Sequence, residues 1–237
     1  MIRIAAVGDL HLGVESRSRF RARVEGLPSH ADVLLVAGDL TKCGGSDEAE
    51  VVAAELRDLG VPVVVVLGNH DYHADKPEEM TKILTENGVY VLDGSSVILD
   101  VNGERLGIAG SKGFGGGFAG ACGTDFGEPE MKSFVWHTKR LSADLEEALG
   151  ELDTEHKVVL LHYAPVRDTL QGEPLEIYPF LGSYLLAEAI DCAGADLVIH
   201  GHAHHGSEKG ITPGGINVRN VAQPVIQHAY NLYELGA

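Results

Sequence analysis

Seven side chains suited to holding metal ions lie scattered along the chain: Asp9, His11, Asp39, Asn69, His162, His202 and His204. Carboxylate, imidazole and amide oxygen make a mixed nitrogen and oxygen donor set, which suits first-row divalent ions such as Mn²⁺, Fe, Zn²⁺ or Co²⁺. No thiolate belongs to the set, and that argues against a finger-type structural zinc site. In Asp9-Leu10-His11 and His202-Ala203-His204 the donors are two residues apart. In extended backbone that spacing puts both side chains on one face, so each pair can serve one cleft. Glycine precedes Asp9, Asp39, Asn69 and His202, where it is expected to let the chain turn sharply toward the ions.

Donors this far apart need a scaffold that gathers strand ends. Three apolar runs open the sequence: residues 2–7 lead into Gly8-Asp9, 33–37 into Gly38-Asp39, and 63–67 into Gly68-Asn69. Continuous Val, Ile and Leu runs of this length suit strands buried on both faces of a parallel sheet. Between them, residues 15–27 and 47–59 read as helices, with Ser46 as the N-cap of the second. A β-α-β-α-β order makes an α/β sheet with right-handed crossovers, and such sheets bind ligands at the carboxyl ends of their strands. Beyond these, 77–86 reads as a helix, and 89–92, 96–101 and 105–109 as strands, the last two joined at Asn102-Gly103. Residues 110–127 form a glycine-rich loop and 131–149 a long helix. Strand 158–161 ends in His162-Tyr163, helix 184–193 follows, and strand 197–199 runs into the histidine cluster. From residue 216 onward the tail alternates like closing antiparallel strands.

Taken in order, Gly8-Asp9-Leu10-His11, Gly38-Asp39, Gly68-Asn69-His70-Asp71, the lone His162 and Gly201-His202-Ala203-His204 resemble the blocks of the calcineurin-like metallophosphoesterase superfamily. One Gly-Asp dipeptide is commonplace; five blocks in order, each at a strand end, are a specific signal. The resemblance implies an α/β fold, a four-layer α-β-β-α sandwich of two mixed sheets with helices on both outer faces, as a single domain over 1–237. It implies one divalent ion on Asp9, His11, Asp39 and His204, and a second on Asp39, Asn69, His162 and His202, with Asp39 bridging. The activity implied is hydrolysis of a small phosphomonoester or phosphodiester by in-line attack of a metal-bridging hydroxide. His70 would be the catalytic acid that protonates the leaving oxygen, with Asp71 orienting its imidazole. The same fold also serves as a scaffold or binding module with little or no activity. A degenerate site of that kind loses donors or the His70 counterpart, and this chain keeps them all.

The rest of the sequence bounds these readings. Its 237 residues fit one domain, and a net charge of −17 at a pI near 5.0 disfavours nucleic acid as a partner. Cys43, Cys122 and Cys192 form no CxxC pair, which favours a reducing compartment. The opening residues read as a strand and not a targeting segment, and no apolar stretch reaches membrane-spanning length, so a cytoplasmic protein is expected. Lys112 either reaches a substrate phosphate or is a solvated surface residue. Tyr163 and Asn220 are candidates to line the pocket, His200 to support it, and His73 to be a solvated loop histidine. The Gly115-Gly116-Gly117 run lacks the Walker pattern and is expected to act as a lid.

Overall fold

A computed structural model describes residues 1–236. The opening apolar runs become β1 (Ile2–Val7), β2 (Val33–Ala37) and β3 (Val63–Val66), and every residue of β2 and β3 is buried. With β4 (Tyr90–Leu92) they form a parallel array, β1-β2-β3-β4. The helix expected over 15–27 is instead broken into a 3-10 turn at Val14–Ser16, α1 (Arg19–Arg23) and α2 (Leu27–His30). Ser18 and Gly26 stand before the two helices in left-handed backbone, φ 63° and 83°. A tertiary contact fixes the break: the buried Glu55 carboxylate accepts the N–H groups of Ser18 and Arg21 and so caps α1 from a neighbouring helix. That helix, α3 (Ser46–Leu56), starts after Gly45, and the Ser46 hydroxyl donates to Glu79 instead of capping.

The chain continues through α4 (Pro77–Glu86), β5 (Ser95–Val101), β6 (Glu104–Ser111) and the small hairpin β7 (Gly117–Phe118) and β8 (Ala121–Cys122). Next come α5 (Pro129–Gly150), β9 (His156–Leu161), α6 (Tyr178–Leu181), α7 (Tyr184–Ala193) and β10 (Leu197–His200). The chain closes with β11 (Lys209–Ile211), β12 (Asn217–Asn220), α8 (Gln223–Ile226) and β13 (Asn231–Leu235). Two large sheets result, ordered β13-β1-β2-β3-β4 and β11-β12-β10-β9-β6-β5. In each, a parallel centre is bordered by antiparallel strands: β13 in the first, β5 and β11 in the second. The tail thus departs from an all-antiparallel closure. The turn back from β11 lays β12 beside β10, where it runs parallel with Val218 opposite Val198.

Alternation along the second sheet explains the layering. Leu106, Ile108, Val158, Leu160, Leu197 and Ile199 face the first sheet and join its core. Ala109, Val159, Leu161 and Val198 face the other way, onto α5 and α7. The helices α1, α3 and α4 cover the outer face of the first sheet through Phe20, Val52, Leu56, Met80 and Leu84. The architecture is the four-layer α-β-β-α sandwich of two mixed sheets. Among the described residues no helix is long and apolar enough to cross a membrane.

The sheets meet closely at Gly110, where a Cβ would lie 2.6 Å from Leu92 Cβ and 2.9 Å from Val66 Cγ1. Gly110→Ala is therefore expected to cost about 1–3 kcal/mol through overpacking. A urea titration checks this: the midpoint should fall with the slope unchanged.

Candidate metal centre

Beyond β1 and β2 the chain does not separate. Asp9, His11 and Leu12 donate their N–H groups to the carbonyls of Gly38, Asp39 and Leu40 at 3.0, 2.9 and 2.9 Å. This ladder holds Asp9, His11 and Asp39 at φ 59°, 44° and 50°, and His202 sits similarly at 70°. Left-handed backbone in non-glycine residues costs on the order of 1 kcal/mol or more each and persists where the surroundings impose it. The sharp turns thus fall on the donors themselves. Of the four glycines that precede them, only Gly38 has a positive φ, 79°. Gly68 serves closeness, because a side chain there would overlap the Asp39 carboxylate.

All seven expected donors converge where the two sheets present their carboxyl ends. Ligand-type atoms of Asp9, His11, Asp39 and His204 lie within 4.8 Å of one another, as do those of Asp39, His162 and His202. Asp39, 1% exposed, belongs to both groups. The His162 imidazole shows what the cluster is suited to hold. Its Nδ1 is 2.8 Å from the Ala37 carbonyl, which can only accept, so Nδ1 carries the proton. Burial pushes the ring down to a pKa of about 3, so it is neutral. Its Nε2 lone pair then faces Asn69 Oδ1 at 3.0 Å and Asp39 Oδ1 at 3.3 Å. Three electron-rich atoms with no proton between them fit a cation. His202 is likewise held neutral by burial, down to about 3, with Nε2 directed at the Phe180 carbonyl and Nδ1 left over. His11 Nε2 is buried with no hydrogen-bond partner among the described residues, 3.8 Å from Asp39 Oδ2. The donor set fits divalent metal ions in both halves.

In the first half a carboxylate and an imidazole contact each other directly. Asp9, 2% exposed, is pushed up to a pKa of about 6 by burial, partly opposed by His204. His204 Nε2 lies 2.8 Å from Asp9 Oδ1, and this contact raises the imidazole. Asp9 also accepts the His202 N–H at 3.0 Å.

His70 and Asp71 do not pair as expected. Asp71 is fully buried and accepts from the N–H groups of Leu40, Thr41 and Gly68 and from the Thr41 hydroxyl, at 2.7–3.1 Å. Its oxygens are committed to tying the loop after β2 to the loop after β3. His70 Nδ1 bonds the Lys42 carbonyl at 2.8 Å, and Nε2 turns toward Asp39 Oδ2 at 3.9 Å. The orienting partner is thus a backbone carbonyl, which no sequence pattern announces. Thr41 escaped notice too, though a hydroxyl two residues past a Gly-Asp block is a fair signal.

His200 is buried and spends both ring nitrogens, on the Gly201 carbonyl and the Thr169 hydroxyl, which agrees with a supporting role. Asn220 is buried and braces the histidine loop, donating to the Ala203 carbonyl and accepting from the Ala222 N–H. Tyr163 packs on the His202 ring at 4.3 Å. His73 is exposed, as expected. Lys112 is not a surface lysine. It is 8% exposed, its ammonium stands over Tyr72, Phe114 and Tyr163, and burial pushes its pKa down to about 8.

Residues 2–206 match the calcineurin-like phosphoesterase family, and the chain belongs to it. Among curated proteins it is 27% identical over 181 residues to the uncharacterized Bacillus subtilis protein YpbG, covering 75% of this chain and 53% of that one. It is 32% identical over 90 residues to a Synechococcus protein described as a probable cyclic nucleotide phosphodiesterase, 34% of each chain. The chain therefore spans about half the length of the first of these relatives and a third of the second. Among solved structures, the phosphopantetheinyl hydrolase PptH from Mycobacterium tuberculosis superposes with a TM-score of 0.68 at 16% identity, over 98% of both chains. The Thermus thermophilus protein TT1561 superposes at 0.60 and 18% identity, over 92% of this chain and 88% of that one. At such identity the superpositions establish the fold.

Loop anchoring and proton competition can each be measured. Asp71→Ala strands three backbone donors, so it should lower stability by about 1–3 kcal/mol and weaken metal uptake, as read by thermal melting and metal titration. Asp71 acting through His70 alone would instead leave both unchanged. Metal binding should also split with pH. Protons compete for His204 from above its ordinary imidazole range and for Asp9 as pH falls toward 6, whereas His162 and His202 stay unprotonated well below that. One binding step should therefore weaken from pH 7 to 5 by up to about tenfold per unit while the other holds. Calorimetry with Mn²⁺ at several pH values reads this, and two steps with the same pH slope would contradict it.

Proposed function

We propose that the chain is a two-metal phosphohydrolase that cleaves a small phosphomonoester or phosphodiester, working as one catalytic domain. The observation that carries this reading is Asp39, a buried carboxylate common to two donor groups, with the His162 lone pair aimed at the same point. Divalent ions bound there would supply a water of lowered pKa and positive charge against the phosphoryl oxygens. The chain's own groups do the rest. Asp9, His11 and His204 hold one side and Asn69, His162 and His202 the other, with Asp39 shared. Asn69 contributes a neutral oxygen, which keeps negative charge at the centre low enough to admit a phosphate. His70, anchored through Nδ1 on the Lys42 carbonyl, presents Nε2 toward the centre, where it would hand a proton to the leaving oxygen. Asp71 acts as a positioning residue for the loops that carry Asp39 and Asn69. A relative described as a phosphodiesterase and a structural neighbour that is a hydrolase are in keeping with this activity.

Hydrolysis of p-nitrophenyl phosphate and bis(p-nitrophenyl) phosphate, with Mn²⁺, Fe²⁺, Zn²⁺ and Co²⁺ in turn, tests the reading. No turnover of either ester with any ion would sink it. Asp39→Asn should lose the second ion and at least about a hundredfold in rate. His70→Ala should keep both ions yet slow alkyl phosphates by ~10²–10⁴ and activated aryl esters far less.

A further inference from the structure

Lys112 follows β6 at the same end of the second sheet as the metal centre, and its carbonyl accepts the N–H groups of His162 and Tyr163. Its ammonium is enclosed by three aromatic rings, Tyr72 and Phe114 at 4.9 Å and Tyr163 at 5.3 Å. Among the described residues it makes no ion pair and no hydrogen bond, although acidic residues outnumber basic ones 35 to 18. Aromatic faces recover only part of what an ammonium loses on leaving water. Asp93 and Asp39 lie near enough to favour its charge, but neither comes within ion-pair distance, so direct contact is left to an anion that arrives.

The place of that anion is set by Tyr163. One side of this ring rests on His202 at 4.3 Å, and the ammonium stands over the ring at 5.3 Å. Tyr163 thus touches both the donor cluster and the Lys112 ammonium, which places the lysine beside the metal centre. We propose that Lys112 is a specificity-determining residue that binds a second phosphate attached to the scissile one, so that the preferred substrates are diphosphate esters. The proposal rests on the phosphohydrolase reading and narrows its substrate class. Tyr72 and Tyr163 follow Asp71 and His162 directly in sequence, so the cage is built from the same loops as the metal centre.

Calorimetric binding of adenosine 5′-diphosphate and adenosine 5′-monophosphate to the Mn²⁺-loaded protein tests it, because the two ligands differ by one phosphate. The native protein should hold the diphosphate about ten- to hundredfold more tightly, the worth of one charge-assisted contact. Lys112→Met, which keeps length and apolar packing in the cage, should remove most of that preference while the monophosphate weakens far less. Lys112→Gln serves if the methionine variant melts early. Equal affinity of native protein for the two nucleotides overturns the proposal. So does an equal loss on both, which would move Lys112 onto the scissile phosphate, or no loss on either, which would leave it a structural lysine. Turnover of p-nitrophenyl phosphate without a diphosphate preference sinks this inference alone. A diphosphate preference with no turnover of any ester sinks the phosphohydrolase reading and leaves an anion site.

Discussion

Two carboxylates buried side by side dominate the chemistry of this chain. Asp9 and Asp39 are almost without solvent, and burial, with the Asp39 charge added to it, raises the cost of charge on Asp9. Neutral imidazoles cannot relieve that cost, and burial keeps His162 and His202 neutral. His204 relieves part of it through its contact with Asp9, while His11 and His162 turn lone pairs toward Asp39, where added positive charge would relieve the rest. The layers of the sandwich serve this convergence, since two parallel sheet centres deliver their carboxyl ends to one place.

Much of this could be read from residue order. Largely apolar runs marked β1, β2 and β3 to within a residue, because strands buried on both faces admit little else. The seven donors were legible because each sits immediately past such a run. What escaped were features that depend on partners remote in sequence. The break before α1 owes itself to Glu55, more than thirty residues on, and a local pattern of apolar spacing cannot see it. The parallel placement of β12 likewise follows from where the chain returns, and its own alternation does not decide it. Asp71 stood next to His70 in sequence and invited a pairing that backbone geometry forbids, since its oxygens turn toward Leu40, Thr41 and Gly68.

The centre also shows how precision is obtained from strained parts. Four candidate ligands occupy left-handed backbone, and each is held by bonds that belong to the fold at large: the ladder between the β1 and β2 loops, and the His202 N–H on Asp9. Ligand positions are therefore set by main-chain pairing before any ion arrives. Asp71 extends the same logic to the loop after β3, with four donors on one carboxylate. A substitution that loosens these supports would be felt at the metals without touching them.

The contact between His204 and Asp9 joins residues 195 positions apart. During synthesis at typical ribosomal speeds, roughly 10–40 s separate the emergence of the first ligand from that of the last. For that interval Asp9, His11 and Asp39 are present without the histidines that join them in the folded cluster. On the proposed two-metal reading, selection of the ion would be deferred to the end of translation. A nascent chain would then offer stray metals only fragments of a coordination sphere, and the choice of metal would fall to the finished protein.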